Sequence, residues 1–188
     1  MTQPFHVLGV DPGFAKIGFS VVRMSATEMV PVRMGLIETK KSDKKLKVLA
    51  SDDNTRRGRE IVNSLDEVLD GYHIHAICAE SKSFPRNASA AAKVAIFWGI
   101  LIKTAVLLNV PILQASPQLI KRRMCSKANA TKKEVQDACD HMFGPELIHR
   151  LVKGIAGSKL EHPYDGLAAV VACSDSEALR LARRMVVG

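Results

Sequence analysis

The chain has 188 residues, 47% hydrophobic and 24% charged, with 27 Lys and Arg against 19 Asp and Glu for a formal charge of +8. That length suits a single domain, residues 1–188, with a real hydrophobic core, and the charge favours polyanionic partners without naming one. Three features speak against a secreted or membrane protein: no signal peptide is evident, Lys103 interrupts the longest apolar stretch, and Cys78, Cys125, Cys139 and Cys173 form no CxxC pair and read as reduced, cytoplasmic thiols.

Residues 5–10 and 17–23 read as two strands joined by the Pro12-Gly13 turn, and 30–38 as a third, an antiparallel meander. Residues 39–54, rich in Lys, Ser and Asp, read as a loop or hairpin extension with an apolar island at Leu46 to Ala50. Ile61, Val62, Leu65, Val68 and Leu69 recur at helical spacing, which predicts a helix over 56–71. "IHAICA", 74–79, is a short buried strand ending at Glu80. Residues 87–109 form the longest helix, a core helix holding Trp98, and 110–116 a further strand. Ser116 caps a helix that begins at Pro117, and Thr131 with Glu134 makes a capping box for a helix to about Met142. Residues 144–161 read as loop, and Pro163 opens a final helix to about Met185. Strands alternating with helices imply an α/β fold, a mixed sheet of about five strands covered by helices on both faces.

Three acids end apolar segments: Asp11 in "LGVDPG", Glu80 in "AICAES" and Asp165 in "YDGLAAVVA", with His162 three residues before the last. In a mixed sheet, neighbouring strand ends converge on one rim, and a later helix docking there can add ligands. Gathered carboxylates repel unless a cation neutralises them, and hard oxygen ligands suit Mg²⁺ or Mn²⁺. Two such ions roughly 4 Å apart stabilise the attacking and leaving oxygens of phosphodiester displacement. Each acid alone also suits a turn, an exposed strand end or a helix-dipole partner. The shared apolar setting argues against all three being so.

The ordered set of motifs resembles the RuvC-type Holliday junction resolvases of the RNase H-like nucleases. It comprises "GVDPG" with "GFSVV" after it, the strand ending in Glu80, and Asn-Ala-x-x-Ala-x-Lys in "NASAAAK". "FWGILI", "ASPQLIKRRM", "ATKKEVQ" and "HPYDGLAAVVA" follow, so nearly the whole chain is covered. The resemblance implies an RNase H-like fold and a metal-dependent endonuclease, a homodimer making paired cuts in four-way or other branched DNA and leaving 5′-phosphate and 3′-hydroxyl ends. It implies Asp11, Glu80 and Asp165 as ligands of Mg²⁺ or Mn²⁺ in a two-metal site. The family usually carries another acid where this chain has His162, so His162 is expected as the fourth ligand, with Glu161 as competitor.

Lys121 and Lys132 match positions where the family carries basic residues near the active site, with Lys133 as a near alternative. Lys132 is expected to act at the scissile phosphate. Phe84 stands where the family places an aromatic against unstacked bases, and Arg86 beside it joins the expected DNA contacts; Phe84 also suits the core. Lys40, Lys41, Lys44, Lys45, Arg56, Arg57 and Arg59 are candidates for a phosphate-tracking surface, and also suit a solvated face. Rival readings are an ATP-using enzyme of the actin and sugar-kinase fold, a non-catalytic branched-DNA-binding protein, and a nuclease acting on hybrids or flaps. The first needs a second domain and phosphate loop that 188 residues do not supply. The sequence identifies no helicase partner.

Overall fold

The computed structural model describes residues 4–25, 27–81 and 85–187, with side chains as far as Arg184. Phe84, an expected DNA contact, lies outside the described residues. Five strands, β1 (Phe5–Asp11), β2 (Lys16–Met24), β3 (Met29–Glu38), β4 (Ile74–Glu80) and β5 (Ile112–Ala115), form one sheet in the order β3-β2-β1-β4-β5. β1, β2 and β3 are antiparallel neighbours, while β4 and β5 run parallel to β1. The mixed, five-stranded expectation holds.

Helices α1 (Ala50–Leu69) and α2 (Ala88–Leu108) cover one face. Their Ile61, Leu65, Phe97 and Leu101 pack with Leu8, Val10, Ile77 and Ala79. The opposite face carries α3 (Pro117–Cys125), α4 (Lys132–Phe143), α5 (Pro145–Leu151), α6 (Glu161–Cys173) and α7 (Glu177–Val187). There Phe5, Val7 and Cys78 meet Ile120, Val135, Ile148, Leu167 and Leu179. Alternation along a strand therefore assigns the acids: Asp11 shares the α6 face with Phe5 and Val7, and Glu80 shares it with Ala76 and Cys78.

The caps behave as their chemistry requires. Ser116 Oγ accepts from Leu119 N, Pro117 follows it, and Thr131 with Glu134 forms a full capping box. Four expectations need correction. Helix α1 starts at Ala50 rather than near 56, with Asp52 and Asp53 favourable in its first turn. The segment 144–161 is not all loop: Gly144, at φ 85, turns the chain so that Pro145 opens α5, and a 3₁₀ turn forms at Gly157–Lys159. The last helix begins at Glu161, before Pro163, whose missing N–H falls among the first-turn donors that lack partners anyway. It ends at Cys173, and after Ser174 and Asp175 the Ser176 hydroxyl accepts from Leu179 N to start α7.

The fourth correction concerns α2. Only one side of it is core: Phe97, Leu101 and Ala105 are buried, whereas Ile102, Val106 and Leu107 are 53%, 72% and 69% exposed. Among the described residues it is the one helix long and apolar enough to cross a membrane. Its inner side nonetheless closes the core above the sheet, which a bilayer-spanning helix could not do.

Candidate metal centre

The rim of the sheet where β1 and β4 end in parallel is where the acids meet. Backbone-to-backbone packing of α6 brings the third one there. A Cβ on Gly9 would stand 2.1 Å from Gly166 O, and one on Gly18 would stand 1.9 Å from His162 O. Glycine at those positions lets α6 lie directly on β1 and β2. Its first turns then overhang Asp11 and Glu80.

Carboxylate oxygens of Asp11, Glu80 and Asp165 lie within 4.8 Å of one another. Asp11 is 3% exposed, and Glu80 and Asp165 are half-buried. Burial, reinforced by the charges of Asp11 and Glu80, pushes the Asp165 carboxyl up to about 7. A divalent cation removes that repulsion, and an all-oxygen donor set with open sides fits a hard ion.

His162 Nδ1 lies 2.7 Å from Asp11 Oδ2. An ionised carboxylate only accepts, so in this contact Nδ1–H donates. Glu161, the competing ligand, is drawn away into an ion pair with Lys132. That pairing is the foremost cause of the raised Lys132 ammonium and of the lowered Glu161 carboxyl. No local pattern foretold a contact between residues on two different helices.

Asp11, Glu80, His162, Asp165, Lys121 and Lys132 all line one cleft of about 330 Å³. The acids form its floor and the lysines part of its wall. Two other expected contacts stand apart. Lys133 does not line this cleft: it points along α4 to Asp137, 2.6 Å away, because successive helix residues point in different directions. Arg86 is exposed just ahead of α2, and it too is not part of the cleft lining. Of the candidate basic surface, Arg57 is 2% exposed and so cannot be a solvated face residue, while Arg56 is tied to Asp53 and Glu60.

The sequence pattern of the family described as Crossover junction endodeoxyribonuclease RuvC matches residues 7–149. A RuvC of Pseudothermotoga lettingae is 31% identical over 133 residues, spanning 69% of this chain and 75% of the relative. One of Hydrogenovibrio crunogenus is 27% identical over 175 residues, 93% of this chain and 90% of the relative, and so extends over α6. Among solved structures, Thermus thermophilus RuvC in complex with a Holliday junction substrate has a TM-score of 0.68 at 20% identity, over 97% of both chains. The yeast mitochondrial Holliday junction resolvase has a TM-score of 0.63 at 13% identity, over 99% of this chain and 85% of the other. Identities that low bear on the fold, which is the RuvC, RNase H-like one. The match over residues 7–149, which takes in Asp11, Glu80 and both cleft lysines, carries the conclusion that this chain belongs to the RuvC family of crossover junction endodeoxyribonucleases.

Proposed function

We propose that this protein is a metal-dependent, structure-selective endodeoxyribonuclease that resolves four-way DNA junctions by paired cuts in a homodimer. The observation that carries the reading is the triad of carboxylates within 4.8 Å of one another, on the rim of a RuvC-family sheet. Asp11, Glu80 and Asp165 would hold Mg²⁺ or Mn²⁺, with His162, whose ring already reaches Asp11, as the fourth donor. The bound ions supply an activated water and neutralise charge on the phosphate. The protein's own part is positional. Buried Asp11 is oriented by the His162 N–H. Lys132, across the cleft and exposed, offers an ammonium to the phosphate once DNA displaces Glu161, and Lys121 offers a second.

Dimerisation is supported by α2. Its uncovered face carries Ile102 and Val106 beside the small residues Ala92, Ala95 and Gly99, which let another helix approach closely. A second copy suits it better than lipid, because the inner side of the same helix is bound into the core. A two-fold dimer gives matching active sites for a near two-fold junction. The described cysteines are all free, which supports a reducing, cytoplasmic setting.

The test incubates labelled four-way junction, Y-fork and linear duplex with the protein, with and without Mg²⁺ or Mn²⁺. Paired, metal-dependent nicks confined to the junction are expected, with light scattering giving a dimer. Equal cutting of all three substrates, or binding without cutting in either metal, would overturn the reading.

A further inference from the structure

At the same end of the sheet, on the α1/α2 face, lies a second cleft of about 370 Å³. Its floor is Arg57, and Lys41, Lys44, Lys47 and Lys93 line it with Ser89. Arg57 is buried, and among the described residues no carboxylate forms an ion pair with it, although the charges of Asp53 and Glu60 reach it at longer range. Nε donates to Thr39 Oγ1 at 2.9 Å, Nη2 donates to Phe14 O at 3.2 Å, and the guanidinium lies 4.5 Å from the centre of the Phe14 ring. Nη1 makes no hydrogen bond among the described residues. Two acids, Asp43 and Asp53, also line the cleft; Asp43 accepts from Lys45 N, and Asp53 is already satisfied. It accepts from the Ser42 hydroxyl and amide and pairs with Arg56, which together hold its carboxyl well below the usual range.

A buried guanidinium with no direct ion pair is costly to keep, and here burial outweighs the longer-range pull of Asp53 and Glu60. This one is retained at the floor of a cleft whose rim holds three exposed lysines, Lys41, Lys44 and Lys47, free of ion pairs among the described residues. Arginine's planar fork matches phosphate oxygens, and flexible lysines add charge around it.

We propose that this Arg57 cleft binds a backbone phosphate of a DNA strand, as an anchor separate from the metal centre. The strand source follows from position. Phe14, whose carbonyl Arg57 holds, lies three residues beyond Asp11, so the cleft and the acids flank the two sides of one turn. DNA lying over the rim can engage both. Because Arg57 also braces that turn, a phosphate there steadies the strand end that carries Asp11. The inference rests on the DNA-cutting assignment of the acid cluster.

The experiment measures fluorescence anisotropy of labelled linear duplex and four-way junction over a salt series, without divalent metal. Wild type is compared with Lys44→Gln/Lys47→Gln, with Arg57→Gln, and with a control, Arg150→Gln/Lys153→Gln, that removes the same charge from α5 and the segment after it. The cleft pair should lower the slope of log K against log salt by about 0.9, the value for one phosphate contact, on both DNAs. The control should leave it unchanged. Equal slopes for wild type and the cleft pair, or an equal loss in the control, would overturn the site. Inorganic phosphate that raises the Tm of wild type but not of the cleft pair, with DNA affinities identical, would make it a small-anion site and also overturn the DNA assignment. If Arg57→Gln fails to fold, the lysine pair still decides. Failure to cut junctions would show only with metal present and would leave the duplex slopes readable, so the two failures are distinguishable.

Discussion

The two faces of the sheet are held by different means. On the α6 face, backbone meets backbone, with Gly9 against Gly166 and Gly18 against His162 O. On the other face, side chains do the packing: Ile61, Leu65, Phe97 and Leu101 mesh over the strands, and the outer side of α2 stays apolar and open. Backbone contact leaves almost no freedom, and a metal site needs its ligands placed to a fraction of an ångström. Side-chain packing tolerates adjustment, which suits a face free to meet a partner. The acid cluster and the open apolar face of α2 thus lie on opposite sides of one sheet.

The largest test of that division is removal of a ligand from the α6 face. Asp11→Asn or Glu80→Gln should lower cutting by roughly 10³-fold or more, several kcal/mol of transition-state stabilisation. Junction binding, which rests on phosphate contacts, should survive. Cleavage and gel-shift assays on the same preparations check this, and full activity in both variants would end the metal-centre assignment.

The packing contrast itself can be broken with alanine. Gly18→Ala places a Cβ against fixed backbone of α6 and should cost about 3 kcal/mol, with cutting reduced alongside. Gly99, on the outer side of α2, has nothing within 4 Å of an added Cβ in the single chain, so Gly99→Ala should not destabilise the chain's own fold, and any loss should appear as weaker association through the α2 face. Urea titrations of both variants read the difference. Similar losses at the two positions would dissolve the contrast.

Protons separate the two ends of the molecule. Asp165, at the metal rim, has a folded pKa raised to about 7 from 3.8, so between those values the folded state binds more protons than the unfolded. Metal-free protein should therefore lose stability as pH rises from about 4 to 7, by at most about 1.4 kcal/mol per unit. Asp165→Asn should flatten that limb, and Mg²⁺ or Mn²⁺ should offset it. At the opposite end, burial lowers His6 and His75, so the unfolded state binds more protons below about 6.5 and stability should fall on acidification there. Thermal melts from pH 5 to 8 on wild type, Asp165→Asn and His6→Gln resolve the two opposing limbs.

The smallest expected effect lies at His162. Its alanine variant should weaken metal binding about tenfold. His162→Asp should retain activity and shift preference from Mn²⁺ toward Mg²⁺, since imidazole suits Mn²⁺ better than Mg²⁺. Glu161→Ala, which removes the Lys132 partner, should leave the metal dependence near normal. The reverse pattern in metal titrations would make Glu161 the ligand.

Much of this was legible in the residues. That the apolar runs "FHVLGVD" and "IHAICAE" each end in an acid is a property of each strand alone, but that Asp11 and Glu80 share a face is set by the β1–β4 register, with Val10 opposite Ala79. Caps such as Ser116 and Thr131 act within four residues, so their signals are equally local. What neighbours in sequence cannot settle is which side chain a distant element will meet. Lys132 and Lys133 are adjacent and alike, yet only the first lines the acid cleft. Arg56 and Arg57 look equivalent in "TRRGRE", yet one forms surface ion pairs and the other is buried beneath a second cleft. The meeting of Asp165 and His162 with Asp11 depends on glycines more than a hundred residues away in the chain. Those outcomes belong to the tertiary structure, because they come from the angle and depth at which one packed surface seats on another.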